Sequence, residues 1–459
     1  MKHVAVIGLG YVGLPLASLC AVRGYRVLGF DKKHSVIDSI NSGQCHFRDK
    51  NAELLFSEAM QSGNFEATSQ QELLTDASIY IICVPTPVDS SRNPDLSPLL
   101  DALEVVGPHL ERGDLVVIES TVFPGTCEDV VAPRLAQLSN LTPGRDFFLS
   151  HCPERINPGD AFWHCGNIPR VVGALSDQGA RQAALFYADI LGGDIFDVRT
   201  VRAALRPKFR SNEYGLQVTQ VPLGSITMMR SIRDAEAVKA MENTVRDVNI
   251  AFVNELAKIS DALKLDVVDI INGMATKPFG KGPFYPGVGV GGHCIAVDPE
   301  WLKMASRQAG FIPEIIELAR ATNTSMPTYT VQLLQDLLNE RGMPVKGTQV
   351  AILGTTYKRD TDDLRESPFY PLRDILKRKG ASLRVFDSWN PAENTHSDIT
   401  SALHGAKAAV IVTDHTELKA ALSGVDFAGL GIEVVIDGRN CLDPESFDAE
   451  SVIYKGIGR

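Results

Sequence analysis

Short apolar runs, each closed off by polar or glycine-rich clusters, alternate with segments of helical period along most of the chain. Residues 2–7 alternate too little for a strand with one wet face and suit a parallel strand buried on both sides. The helical run LPLASLCAVRG (14–24) follows, and VLGFD (27–31) predicts a second strand. ASIYIICVPTPVD (77–89), DLVVIESTVFPGT (114–126) and FFLSHCPERINPGD (147–160) each read as a buried strand running into a polar loop. RVVGAL (170–175) and the stretch 188–198 read as the edge elements that finish this first domain, placed at 1–200.

Residues 201–233 have no clear period and are read as an irregular insertion, rich in basic residues. QVTQV (217–221) and SITMM (225–229) predict a short hairpin around Pro222 and Gly224. Whether the basic residues form a solvated face, a subunit contact or a ligand clamp stays open. From Asp234 to Leu263, Val238, Met241, Val245, Val248, Phe252, Leu256 and Ile259 recur at helical spacing. A second stripe turned away from them carries Lys239, Asn243 and Arg246, three polar groups aimed into one space. This long spine helix opens a central helical domain at 234–330 and is a candidate dimer element. From 331 to 459 strand–loop–helix–strand units return, so the class is α/β with sheet domains at both ends and helices between.

A chain of 459 residues exceeds one growing core, so two or three domains are required. With 45 basic against 56 acidic residues, a net charge of -11 argues against nucleic acid as partner. No apolar run has the length of a signal peptide or a membrane span, so no membrane insertion is expected. Eight cysteines are scattered rather than set at knot or zinc-finger spacings, which fits a reducing, cytoplasmic compartment. Cys152 and Cys165 beside His151 and His164 invite a metal reading. The proline, arginine and asparagine motifs of that segment explain it better, and no metal is expected.

Gly8, Gly10 and Gly13 in GLGYVG lie between the first strand and first helix, with Asp31 ending the second strand. That is the dinucleotide arrangement: a tight turn, a close backbone approach to pyrophosphate and close helix packing, with an acid for the adenosine ribose. Asp31 would repel an extra phosphate, which selects NAD, although Lys32 and Lys33 weaken the argument. Tyr11 and Val12 complete the turn. Pro85, Thr86 and Thr121 follow strands whose carboxyl ends should line the cofactor crevice. Glu154, Arg155, Ile156 and Asn157 lie in the next such loop, where a plain polar turn with its own ion pair is the competing reading. FYPGVGVGGHCIAVDP (284–299) presents Cys294 on a glycine-dense loop, either as a covalent nucleophile or as a small buried hydrophobe. Asp298, four residues on, is close enough to share its pocket.

Together these motifs resemble the UDP-glucose/GDP-mannose dehydrogenase family, above all its UDP-N-acetylhexosamine branch. The resemblance runs through GLGYVGLP, VPTPVD, ESTVFPGT, CPERINPGD, AEAVKAMENTVRDVNIAFVNELA, PGVGVGGHCIAVDP and GTTYKRDTDDLRESP, nearly the whole chain. It implies an N-terminal Rossmann-like NAD domain, a central helical dimerisation domain and a C-terminal Rossmann-like UDP-sugar domain. It also implies a likeness of roles: Cys294 as nucleophile, with Lys239, Asn243, Asp298, Glu154 and Thr121 as catalytic partners. Arg365 would join the cofactor contacts. Phe284, Tyr285, Gly291, Tyr357 and Lys358 would join Glu154–Asn157, Lys239, Asn243 and Arg246 around the substrate, and which ligand Lys358 meets stays open. The implied reaction is oxidation of a sugar C6 alcohol to a uronate for surface polysaccharide, with two NAD+ per sugar and a thiohemiacetal and thioester on Cys294. UDP-N-acetylglucosamine is the expected substrate; UDP-N-acetylmannosamine, UDP-N-acetylgalactosamine and UDP-glucose are alternatives, because the marks of the branches conflict. The stretch 202–233 is longer than the short link common in the family and departs from its pattern. Rival readings are a two-electron dehydrogenase that leaves Cys294 idle and a non-catalytic NAD sensor.

Overall fold

The computed structural model describes residues 3–47, 49–89, 93–156, 162–198, 222–277, 283–292 and 294–459. The chain divides into two compact units, one of residues 1–242 with 300–311, the other of 243–299 with 312–459.

The first unit is built on nine strands: β1 (His3–Ile7), β2 (Arg26–Phe30), β3 (Phe65–Thr68), β4 (Ile79–Ile82), β5 (Leu115–Ile118), β6 (Phe148–His151), β7 (Arg170–Ala174), β8 (Ile195–Asp197) and β9 (Ile226–Met228). Their order is β3-β2-β1-β4-β5-β6-β7-β9-β8, parallel throughout except between β6 and β7. Alternate residues of one strand enter opposite cores: Val4 and Val6 join one cluster, Ala5 and Ile7 the other. Helices therefore cover both faces, which is why these strands read as continuous apolar runs. The order reverses direction beside β1, so a crevice opens outside the carboxyl ends of β1 and β4.

Ile226–Met228 does not form the expected hairpin. It runs parallel to both β7 and β8 and fills the slot between them, so neither side is left for a hairpin partner. Gln217–Val221 and the rest of 199–221 lie outside the described residues.

The second unit holds β10 (Gln349–Leu353), β11 (Ser382–Phe386), β12 (Ala408–Ile411), β13 (Val434–Asp437) and β14 (Ile453–Gly456), all parallel in the order β11-β10-β12-β13-β14. The same inside–outside alternation divides Val350 and Ile352 from Ala351 and Leu353. Here the turn after β10 is made without a glycine fingerprint. Asp387 Oδ2 accepts from the Thr355 amide at 2.5 Å and the Thr355 hydroxyl at 2.9 Å.

The spine helix covers Ile232–Leu263. Much of its apolar stripe stays outside the cores: Met241, Val245, Phe252 and Ile259 are 46–55% exposed, whereas Leu256 packs at the edge of the second core. The buried face instead carries Ala235, Glu236, Lys239, Ala240, Asn243, Asp247, Asn254 and Ala257. Small residues let neighbouring backbone approach, and the polar ones are buried with partners. Among the described residues no helix is long and apolar enough to cross a membrane.

Candidate functional site

The cofactor loop is fixed by what its glycines exclude. Gly8 has φ +90°, and a Cβ there would stand 2.9 Å from the Cys83 carbonyl oxygen. A Cβ on Gly13 would lie 1.8 Å from the Gly8 oxygen, so the first helix (Gly13–Val22) can start this close only at glycine. Gly10 differs, because its missing side chain faces open space. Val12 places no side-chain cap on the helix start, which suits an anion there. Tyr11 packs on Phe47 with ring centroids 4.3 Å apart. Asp31 is anchored by the Leu9 amide to Oδ2 and the Lys33 amide to Oδ1, both 2.9 Å. A pyrophosphate over Gly10 and a ribose diol at Asp31 fit this cradle. Lys32 is turned into an exposed pair with Asp101.

Beside the crevice, the buried Thr86 hydroxyl donates to the Thr121 carbonyl at 2.6 Å, tying the loop after β4 to the loop after β5. Pro85 is exposed at the rim and Thr121 is half-buried. Glu154 is buried after β6; its Oε1 accepts from the Ile156 amide, and Oε2 lies 4.0 Å from Lys239 Nζ. Burial pushes its carboxyl up to about 7, against the pull of Lys239 and Arg170. A carboxyl poised near neutrality can take and return protons. Arg155 clamps the loop by pairing with Glu242 and donating to the Pro169 carbonyl at 3.1 Å. Asn157 lies outside the described residues.

In the second unit Cys294 stands just ahead of the helix Asp298–Gln308, and its carbonyl accepts from the Asp298 amide at 2.8 Å. Gly292, at φ +85°, donates its amide to the Arg365 carbonyl at 2.8 Å. Tyr357 fills the space a side chain would need: a Cβ on Gly291 or Gly292 would meet it at 2.5 and 2.8 Å. Arg365 forks onto Asp363, with Nε to Oδ1 at 2.9 Å and Nη2 to Oδ2 at 2.6 Å. Arg246 is exposed, yet its charge and that of Arg365 both reach Tyr357. Asn243 Nδ2 donates to Asp298 Oδ2 at 2.6 Å, both groups being buried. Lys239 and Asn243 thus share the inner face of one helix, a turn apart. Lys358 is half-buried in the loop after Tyr357, and Phe284 packs on the second core. Tyr285 is exposed, its hydroxyl given to Asn272 at 2.9 Å.

Two polar groupings escape a linear reading. Arg170 Nη1 donates to Glu119 Oε1 at 2.8 Å, and the Tyr187 hydroxyl donates to the same oxygen at 2.5 Å, all three buried. A charge opening an apolar strand (RVVGAL) and another closing one (LVVIE) were the available signal. In the second unit Asn254 Oδ1 accepts from the Gly287 amide at 3.0 Å, while its Nδ2 donates to Asn323 Oδ1 at 2.8 Å. This braces the start of the cysteine loop.

A dinucleotide cradle at the head of a parallel sheet, followed by a second nucleotide-type sheet, defines a dinucleotide-binding α/β protein with a second Rossmann-like domain. The NAD binding, central and UDP binding domain models of the UDP-glucose/GDP-mannose dehydrogenase family match residues 2–191, 233–325 and 351–444. A UDP-N-acetyl-D-mannosamine dehydrogenase of Pyrococcus horikoshii is 35% identical over all of this chain and 99% of its own. A UDP-N-acetyl-D-glucosamine 6-dehydrogenase of Salmonella typhi is 34% identical over 97% of each. The solved structure of a UDP-D-ManNAc dehydrogenase from Pyrococcus horikoshii superposes with TM-score 0.86 at 34% identity, covering 100% of this chain and 99% of that one. The chain belongs to the UDP-glucose/GDP-mannose dehydrogenase family. It is an NAD-dependent enzyme whose family chemistry is the four-electron oxidation of a nucleotide sugar's C6 alcohol to the uronic acid.

Proposed function

We propose that the substrate is a UDP-N-acetylhexosamine, with the manno epimer first and the product destined for a surface polysaccharide. The relatives support the manno sugar better than the gluco sugar expected from sequence motifs. The gluco sugar stays second on the 34% identical relative.

The observation that carries the four-electron reading is the placement of Cys294 at a helix head, with Asp298 of that helix hydrogen-bonded to Asn243. NAD, when bound, accepts a hydride in each oxidation. Lys239 and Asn243 donate hydrogen bonds to the C6 oxygen as negative charge grows on it. In the first oxidation the C6 hydroxyl gives its proton to water held by Glu154 and Asp298, and C6 loses one hydride, leaving an aldehyde. The Cys294 thiolate adds to its carbon, and the oxygen takes a proton to give a thiohemiacetal. Loss of that proton and the remaining C6 hydride leaves a thioester. Asp298, Glu154 and Thr121 orient water and carry its proton; attack breaks the C–S bond, frees the uronate and returns the thiol. Gly8, Gly10, Gly13 and Asp31 hold the cofactor, with Thr86 and Arg365 as further contacts. Arg155, Arg246, Tyr357 and Lys358 bind the UDP-sugar.

Residues 234–330 serve as the dimerisation domain, with the exposed stripe Val245, Phe252 and Ile259 buried against a second copy. The cytoplasm is the compartment, where NAD and UDP-sugars are available and thiols such as the buried Cys83, Cys127 and Cys152 stay reduced. The test supplies NAD+ and a panel of UDP-hexoses and UDP-N-acetylhexosamines, counting NADH and identifying the product. Two NADH per sugar and a uronate are expected, with the largest kcat/KM for the manno epimer. One NADH per sugar, or normal uronate from Cys294→Ala, overturns the proposal.

A further inference from the structure

Glu154 faces more charge than its pair with Lys239. The antiparallel register of β6 and β7 sets Ser150 opposite Ala174 and His151 opposite Gly173. The ladder ends there, but the two segments stay close beyond it: the Arg155 side chain donates from Nη1 to the Pro169 carbonyl at 3.1 Å, and the Arg170 charge reaches Glu154. On the other side of β6, Ile118 pairs with His151, which brings Glu119 alongside Cys152, two residues before Glu154. Arg170 and Glu119 are 2% and 1% exposed, and Arg170 lies 5.1 Å over the Tyr187 ring. Among the described residues Glu119 Oε2 and Arg170 Nε have no hydrogen-bond partner.

We infer that the buried Glu119–Arg170 pair, locked by Tyr187, is a charge-balanced positioning element: each charge cancels the other's pull on the Glu154 proton, which is left to burial and Lys239. The inference rests on Glu154 as the proton carrier of the proposed reaction. Among the described residues, the charged and titratable groups whose fields reach Glu154 include Lys239 on the spine helix, Arg170 on β7, Glu119 after β5, the adjacent Arg155, Cys83 after β4 and Cys165 before β7. Burial pushes the Cys165 thiol up to about 12 and the Cys83 thiol well up, so both are neutral. That leaves Arg170 favouring the Glu154 carboxylate and Glu119 opposing it. A bare guanidinium there would hold Glu154 ionised; a bare Glu119 would hold it protonated.

The experiment follows the carboxylic-acid band of Glu154 by pH-difference infrared spectroscopy on the full chain, assigned by its loss in Glu154→Gln. It is paired with pH profiles of kcat for NADH formation. Glu119→Gln is expected to move the titration down by about one pH unit and Arg170→Gln up by about one. Glu119→Gln/Arg170→Gln, which removes both charges, restores it to near the wild-type position, as does Arg170→Lys. If Arg170→Gln does not fold, Glu119→Gln against the double variant still reads the sign. Titration unmoved in the folded variants, or moved the same way by both single changes, overturns the inference. A kinetic limb that survives Glu154→Gln overturns the role of Glu154 in the reaction, while the infrared band continues to test the pair.

Discussion

Glu154→Gln should stabilise the first unit more at alkaline than at acid pH. The folded carboxyl titrates at about 7 against an ordinary 4.5, because burial disfavours its charge. Folding therefore holds the proton more tightly than the unfolded chain does. The sign follows: this group's contribution to stability is fully present below pH 4.5 and is lost as pH rises through 7. A gap of about 2.5 units at about 1.4 kcal/mol each gives a loss of about 3.5 kcal/mol above neutrality. Glutamine cannot ionise, so it does not suffer that loss. It also leaves Lys239 without its carboxylate at 4.0 Å. That attraction exists only once Glu154 is ionised and is already contained in the value of about 7, so the readout is the change in the mutant–wild-type difference between the two pH values. Urea unfolding followed at Trp163 and Trp301, both in the first unit, at pH 5.5 and 8.5 supplies the measurement. The difference should grow in the mutant's favour by about 2–3 kcal/mol between those two pH values. A constant difference, or one that grows the other way, refutes the reasoning.

Two other perturbations read different parts of the molecule. Gly292→Ala must adopt φ +85° and place a methyl 2.8 Å from the Tyr357 ring. Left-handed backbone alone costs about 1–2 kcal/mol, so the cysteine loop should shift and kcat fall by about tenfold or more with NAD affinity unchanged; kcat within twofold of wild type would contradict this. Phe252→Glu sets a charge in the exposed stripe of the spine helix, where the phenylalanine is 55% exposed in the single chain. Sedimentation should show the mass falling from dimer to monomer, and an unchanged mass would remove this face from the interface.

Local signals were legible wherever one segment contains the whole device. GLGYVG and Asp31 need only a strand, a turn and a helix, and the spacing that predicts them is the spacing that Gly8 and Gly13 enforce. The extent of the spine helix was legible too, but its period only reports that an apolar face exists. It does not say which surface meets that face, and within this chain the polar side turns inward. The Glu119–Arg170 pair was not legible because it depends on strand order. Only a sheet in which β7 reverses against β6 sets Arg170 beside the loops after β5 and β6. The slot taken by Ile226–Met228 is of the same kind: hairpin chemistry around Gly224 was present, but non-local pairing with β7 and β8 decided the outcome.

The inner face of the spine helix explains how a reactive set of groups can be kept in register. Several of its buried polar residues are met by hydrogen-bond or ionic partners. Glu236 accepts from the Gly125 and Cys127 amides at 2.6 and 2.7 Å, and Lys239 faces Glu154. Further along, Asn243 holds Asp298, Asp247 takes Arg320 at 2.6 Å, and Asn254 takes the Gly287 amide. Removing one partner from such a buried contact costs about 1–3 kcal/mol, because the survivor is left dry and unpaired. A helix spaced by these contacts cannot turn or slide without breaking several together. The same groups that would stabilise charge on the sugar oxygen are therefore fixed by contacts whose loss would destabilise the fold. A change at Asp247 or Asn254, neither given a chemical step, should lower kcat through the seating of Asn243 in the same unit.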